Sequence, residues 1–195
     1  MLFWQAIILG IVEGVTEFLP ISSTGHLILT SKMMNLSQTD FVKTFEIAIQ
    51  VGAIFAVFLL YWKKIFSKNI LKKTLVAFIP AGIIGLTFYS LIRKYLMGNE
   101  LVVLYSLAIV GLLLIIFELC LKRKPASNND ELGGGLDGIS YKQALIIGLA
   151  QSFAIIPGVS RSGATILGGL ALGINRKTIT EFSFILAIPT ILIAT

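Results

Sequence analysis

The chain has 195 residues, 56% of them hydrophobic and only 13% charged, with a mean hydropathy of +0.90. That composition cannot provide a water-facing surface around a single core, so it excludes a soluble globular domain and requires an integral membrane protein. A net charge of +6 could suggest nucleic acid, but the basic residues lie between apolar runs: Lys63, Lys64, Lys68, Lys72 and Lys73, then Lys122, Arg123 and Lys124, then Arg176 and Lys177. This is the pattern of cytoplasmic loops against anionic headgroups, and with no nucleic-acid motif no such partner is expected.

In chain order, the run 2–19 has no basic start and no small-residue cleavage pattern, and it carries Glu13 and Glu17, so it is not a cleaved signal. Pro20 and the polar Ser22, Ser23, Thr24 and Gly25 break it, and the remainder, 26–34, is too short to cross a bilayer. Residues 1–34 therefore read as a helical hairpin that returns to the side it entered from. Spans are expected at about 45–62, 74–92 and 101–121, each approaching or exceeding the roughly 20 residues a crossing helix needs. Their continuous apolar character excludes the alternation of a β-barrel.

The polar residues near these spans invite simple readings. Glu46 and Glu181 suit helix starts, and Gln50, which lies deeper, suits a hydrogen bond to hairpin backbone. Glu118 is expected to pair with Lys122, Tyr61 and Trp62 to anchor at headgroup level, and the single Cys120 to act as a small apolar residue. The stretch 122–139, with Pro125 and three consecutive glycines, reads as a solvated linker. A second hairpin, 140–172, and an apolar run, 182–195, complete the chain.

Shifting the sequence forward by a constant 138 positions lays Gln5 and Ala6 on Gln143 and Ala144, Gly10 on Gly148, Ser22 on Ser160 and Gly25 on Gly163. The charged positions do not repeat: Glu13 meets Gln151, Ser23 meets Arg161 and His26 meets Ala164. Three crossings after the first hairpin place the second on the opposite face. The expected fold is thus all-α: a polytopic membrane protein, 1–195 forming one membrane domain, with inverted-topology repeats at 1–121 and 140–195, each containing a re-entrant helical hairpin. Counterparts of 74–92 and 101–121 are absent from the second repeat, so about two C-terminal helices are expected to be missing and the span 182–195 to be truncated.

The chemistry gathers at the two breaks. Glu13 and Glu17, four residues apart, project from one helix face and would repel unless a proton, a basic side chain such as Arg161, or a hard divalent cation, Mg²⁺ or Ca²⁺, lay between them. After Pro20 the helix restarts at Ser22, Ser23 and Thr24, whose free amides and positive dipole end suit an anion. Ser160, Arg161, Ser162 and Thr165 repeat that restart, and Arg161 adds a permanent cationic fork matched to phosphate oxygens. His26, the only histidine, lies one helical turn beyond Ser22 and Ser23 and suits a base or nucleophile.

The segments E-G-V-T-E-F-L-P-I-S-S-T-G-H (13–26) and P-G-V-S-R-S-G-A-T (157–165) resemble the two signature segments of the bacterial undecaprenyl-diphosphate phosphatase family, the BacA type associated with bacitracin resistance. The resemblance implies a metal-dependent phosphatase of the bacterial plasma membrane that removes the terminal phosphate of undecaprenyl diphosphate and recycles the lipid carrier of cell-wall synthesis. Its site would open toward the outer, periplasmic face. By position, Glu13 and Glu17 match the acidic motif, Ser22, Ser23 and His26 the catalytic segment, and Arg161 with Ser160 and Thr165 the second motif. On this expectation Ser23, His26, Glu17 and Arg161 are catalytic, Ser22, Thr24, Ser160, Ser162 and Thr165 bind substrate, and Glu13 and Glu17 hold the cation. A prenyl diphosphate and the bilayer are the expected partners, and a homodimer is compatible with them. The competing reading is an inverted-repeat transporter or flippase for a phosphorylated lipid or anion, because broken helices meeting at midplane are also transporter architecture.

Overall fold

A computed structural model describes residues 1–96, 100–121 and 135–194, and among these there is no strand. Eight α-helices follow in order: α1 (Phe3–Thr16), α2 (Ser23–Met33), α3 (Asp40–Ile65), α4 (Lys68–Tyr95), α5 (Glu100–Leu121), α6 (Tyr141–Ser152), α7 (Arg161–Ala171) and α8 (Arg176–Ala194). Short 3₁₀ turns, Gly135–Gly138 and Phe153–Ile155, precede and follow α6. Segments of α3, α4 and α5 are long and apolar enough to cross a membrane. Their outer faces present Leu60, Leu86, Leu112 and Ile115 to the surroundings, as lipid contact requires.

Helices α3 and α4 extend beyond their apolar stretches at both ends, because flanking polar residues continue the hydrogen-bonded ladder. In α3, Thr39 caps the start by accepting from the Val42 amide at 3.4 Å, and Lys63 and Lys64 complement the dipole in the last turn. Helix α8 begins at Arg176, ahead of the apolar run at 182, so Glu181 lies inside it rather than at its start. Glu46 likewise lies within α3, where it accepts from Ser31 at 3.0 Å and from Gln38 at 3.3 Å.

The two hairpins repeat at the level of single hydrogen bonds. Gln5 Oε1 accepts from the Leu2 amide ahead of α1, and Gln143 Oε1 accepts from the Ser140 amide ahead of α6. Helices α2 and α7 have the same length and start after Ser22 and Ser160, whose hydroxyls accept from the Gly25 and Gly163 amides. They also end alike: Asn35 and Gly173 take positive φ, and the amides of Leu36 and Ile174 return to the carbonyls of Ser31 and Gly169. All these positions differ by the same 138 residues.

The buried core lies between α4, α6, α7 and α8, around Ala77, Ala144, Ile147, Ile166, Ile179, Phe182 and Leu186. Helices α4 and α6 approach so closely that a Cβ on Gly148 would run into the Ala77 carbonyl. Helix α5 lies across both restarted helices, with Leu107 against Gly25 and the backbone of Val103 against Gly158.

Polar contacts join the helix ends in two groups. The end of α3 meets α8 through Lys64 and Glu181 at 2.6 Å, and α5 meets α8 through Glu118 and Arg176. Asn69 and the buried Lys73 of α4 hold Asp137 just before α6. Glu118 therefore pairs with Arg176; its expected partner Lys122, like linker residues 122–134, lies outside the described residues. In the other group, Gln5 donates to the Met34 carbonyl, and Ser31 ties the end of α2 to Glu46 of α3.

Candidate active site

Pro20 cannot extend α1, and the chain turns through residues 17–22 before α2 begins. Ser22 makes the turn with φ 65°, a conformation that costs a non-glycine residue about 1–3 kcal/mol unless its surroundings hold it. The second break uses Gly158, at φ 93°, and so avoids that strain. The breaks touch: Ser162 Oγ, at the start of α7, donates to the Leu19 carbonyl at 2.9 Å. Ser162 and Ser160 are also joined through their hydroxyls at 3.1 Å.

This junction brings together side chains that are far apart in sequence. Arg161 Nη2 reaches Glu17 Oε1 at 2.6 Å, and Ser23 Oγ donates to Glu17 Oε2 at 2.5 Å, so one carboxylate holds both the cation and the hydroxyl. Arg161 Nη1 donates to the Ser183 carbonyl of α8 at 3.1 Å. The Ser183 hydroxyl in turn pairs with Thr165 Oγ1 at 2.6 Å. Both partners of the ion pair are largely buried, at 13% and 9% exposure for Arg161 and Glu17, so removing either would leave an uncompensated charge.

A cavity of about 220 Å³ opens on this cluster. Glu17, Ser22, Ser23, Thr24, Ser160, Arg161 and Ser162 line it, together with Gln50 of α3 and Thr190 of α8. The apolar part of its wall is Leu19, Ala154, Val159 and Ile191. Thr165 of α7 is fully buried against Ser183 of α8 and does not line it.

Two expected participants stand apart from the cavity. His26 Nδ1 lies 2.8 Å from the Ser22 carbonyl; a carbonyl only accepts, so Nδ1 carries the proton in this contact. Glu13 is completely buried, and both of its carboxylate oxygens lack a hydrogen-bond partner among the described residues. Its charged neighbours are Glu17, Glu46 and Arg161.

That orphaned carboxylate is the right donor for a hard cation. No group of three His, Cys, Asp or Glu residues poised to hold a metal occurs among the described residues. Among the described residues the site offers the carboxylates of Glu13 and Glu17, with Glu17 already engaged by Arg161 and Ser23. This donor set fits an ion such as Mg²⁺, which commonly takes one or two carboxylates and fills its remaining positions with water and substrate oxygens.

The model of the family described as bacitracin resistance protein BacA matches residues 6–195. The chain belongs to the BacA family. BacA relatives of similar sequence carry the name undecaprenyl-diphosphatase. That of Aquifex aeolicus is 50% identical over 193 residues, covering 98% of this chain and 73% of the relative. That of a Sulfurihydrogenibium species is 51% identical over 191 residues, covering 98% and 73%. The Bdellovibrio bacteriovorus protein is 48% identical over 196 residues, covering 100% and 72%.

Within this BacA chain, Ser183, Thr190 and the Leu19 carbonyl join the cluster without having been singled out from sequence. Ser183 had a visible signal, since it is a lone hydroxyl between Phe182 and Phe184 in an apolar run. The Leu19 carbonyl had none, because a backbone acceptor is the same at every residue. Gln50 lines the cavity, and its side chain makes no hydrogen bond to hairpin backbone among the described residues.

Proposed function

We propose that this BacA-family chain is a membrane phosphatase that hydrolyses undecaprenyl diphosphate to undecaprenyl phosphate and phosphate, recycling the lipid carrier for cell-wall synthesis. The observation that carries the reading is the Arg161–Glu17–Ser23 cluster on the cavity wall, where two broken hairpins meet. Inverted-repeat scaffolds also serve transporters. Here, however, the halves differ in chemistry, with a carboxylate and serine from one and an arginine from the other, and that pairing of a held hydroxyl with a cation favours a reacting centre.

Phosphoryl transfer needs positioning and charge neutralisation more than covalent chemistry. The diphosphate enters the cavity with its prenyl tail in lipid, and Arg161 turns its fork toward the phosphate oxygens. Glu17 Oε1 is then released from Arg161, while Oε2 keeps its bond to Ser23 and is placed to take the hydroxyl proton. Ser23 Oγ attacks the terminal phosphorus, its proton passes to Glu17, and the bond to the bridging oxygen breaks to release undecaprenyl phosphate. Water then cleaves the phosphoserine, returning the serine hydroxyl and free phosphate. The Ser22 and Ser160 caps leave the first amides of α2 and α7 directed at the incoming anion. Glu13 and Glu17 would hold a divalent cation, which when bound offsets negative charge on the phosphate oxygens. His26 serves as an alternative base or nucleophile only if its ring leaves the Ser22 carbonyl.

Supporting an inverted arrangement, the ends of α3 and α5 and the starts of α4, α6 and α8 are held in one polar group, and the ends of the first hairpin in another near the start of α3. With Lys63, Lys64, Lys68, Lys72 and Lys73 cytoplasmic, the first hairpin enters the plasma membrane from the outer face and the second from the inner. On this reading the site opens toward the outer face.

Phosphate release from undecaprenyl diphosphate by the purified chain in detergent tests the reading. Wild-type release that disappears in Ser23→Ala and in Arg161→Ala supports it. Full activity in both variants would remove the cluster from the reaction. A trapped phosphoserine at Ser23 identifies the nucleophile, and a phosphohistidine at His26 would assign that role elsewhere.

A further inference from the structure

Gln50 is the only polar side chain of α3 between Glu46 and Tyr61. An amide at that depth in a lipid-facing helix is costly unless something satisfies it. Glu46 and Tyr61 do have partners, Ser31 and Gln38 for the first and Lys64 for the second. Gln50 has no hydrogen-bond partner among the described residues, is partly buried, and lines the cavity. Nearly every other polar side chain of the lining is already committed inside the protein, as the serines, Glu17 and Arg161 show. Thr190 is likewise engaged, by Gln151 and the Leu186 carbonyl. Thr24 and Gln50 remain, and Thr24 already belongs to the signature segment.

The committed groups can turn to a ligand only by giving up a bond. A free amide gives up no bond within the protein and exchanges only water for the ligand. The ligand that reaches it must be rich in acceptors, because the cavity's other ligand-facing groups are the Arg161 fork, the hydroxyls and the helix starts. The diphosphate meets that requirement, whereas the prenyl tail offers nothing to an amide.

We propose that Gln50 is a substrate-contacting residue whose side-chain N–H donates to a nonbridging oxygen of the diphosphate bound in the cavity. The inference rests on the phosphatase reading above and extends the binding site to a crossing helix outside both signature segments. Because the contact forms with the ground-state diphosphate, it contributes equally to the bound substrate and to the transition state. Its loss therefore raises KM and leaves kcat nearly unchanged.

The full chain in lipid nanodiscs provides the test, with Gln50→Met, of similar length but lacking the N–H, and Gln50→Glu, of the same shape but repelling the anion. Steady-state kinetics with a prenyl diphosphate are measured beside inhibition by inorganic pyrophosphate. In Gln50→Met, KM and the pyrophosphate inhibition constant should rise together by about ten-fold or more, as expected for a hydrogen bond to a charged acceptor, with kcat within about three-fold of wild type. Gln50→Glu should raise both further. Unchanged KM and inhibition constant in Gln50→Met would overturn the proposal, as would a fall in kcat with both constants preserved. If Gln50→Met fails to reach the wild-type unfolding temperature, Gln50→Glu decides by the same two constants. Ser23→Ala separates the two levels of inference. No phosphate release by the wild-type chain defeats the phosphatase reading, and wild-type turnover in Ser23→Ala removes that serine from the reaction. Pyrophosphate binding to Ser23→Ala, followed by thermal shift with and without Gln50→Met, still reports on the amide.

Discussion

At the scale of single residues, the structure divides roles that sequence spacing leaves together. His26 lies within one helical turn of Ser22 and Ser23, so spacing alone makes it a natural base. The ring instead meets the Ser22 carbonyl, and the Ser23 hydroxyl meets Glu17. Positioned general bases contribute about 10²–10⁴-fold, so Glu17→Gln should lower kcat by about that range, and His26→Ala by about ten-fold or less. Single-turnover phosphate release measures both, and a greater loss in His26→Ala than in Glu17→Gln would return the base to histidine. Glu13 makes a separate prediction. On the proposed reaction its buried, unpartnered oxygens would hold the cation and take no part in the proton transfer. Glu13→Gln should therefore raise the Mg²⁺ concentration needed for half-maximal activity by roughly ten-fold or more while saturating metal restores much of the rate. Metal titration after chelation shows this, and an unchanged titration curve would remove Glu13 from the cation site.

At the scale of elements, much was legible in the chain because local rules govern caps and breaks. Ser22, Ser160, Gln143, Pro20 and the paired glycines mark where α2, α6 and α7 start, and they do so through side chains that act within three or four residues. Which helix covers which hairpin was not legible, since that depends on contacts far apart in sequence. Gly10 and Gly148 occupy equivalent places in the two copies, yet only Gly148 is pressed against another backbone, that of Ala77 in α4. A Cβ at Gly10 meets nothing within 4 Å. Gly148→Ala should therefore destabilise the chain by about 1–3 kcal/mol, as overpacking does. Gly10→Ala should be neutral or stabilise by up to about 1 kcal/mol through helix propensity. Unfolding of the two variants in the same detergent compares them directly, and equal losses would mean that the α4–α6 approach is not tight in solution.

At the scale of the whole molecule, the net charge and hydropathy establish residence in a membrane, and the repeat suggests two halves, but neither specifies which ends lie together. The side-chain pairs carry that information. Lys64 with Glu181, Arg176 with Glu118, and Asn69 and Lys73 with Asp137 gather ends of five helices into one polar band. Spacing missed these partners because each pair bridges different elements, the nearest 58 residues apart. A cytoplasmic band of this kind predicts a labelling pattern. In a Cys120→Ser background, single cysteines at Lys72, Lys142 and Lys177, all exposed, should react with an impermeant maleimide only after the cells are opened. Cysteines at Leu2 and Gln38, also exposed, should react in intact spheroplasts. Agreement between Leu2 and Gln38 requires the first hairpin to return to its own side, and agreement between Lys142 and Lys177 requires the same of the second, from the opposite face. If Leu2 and Gln38 label from different sides, α1 and α2 together cross the membrane. The two helix starts would then no longer converge from opposite faces on one diphosphate, and the shared site would need a different geometry.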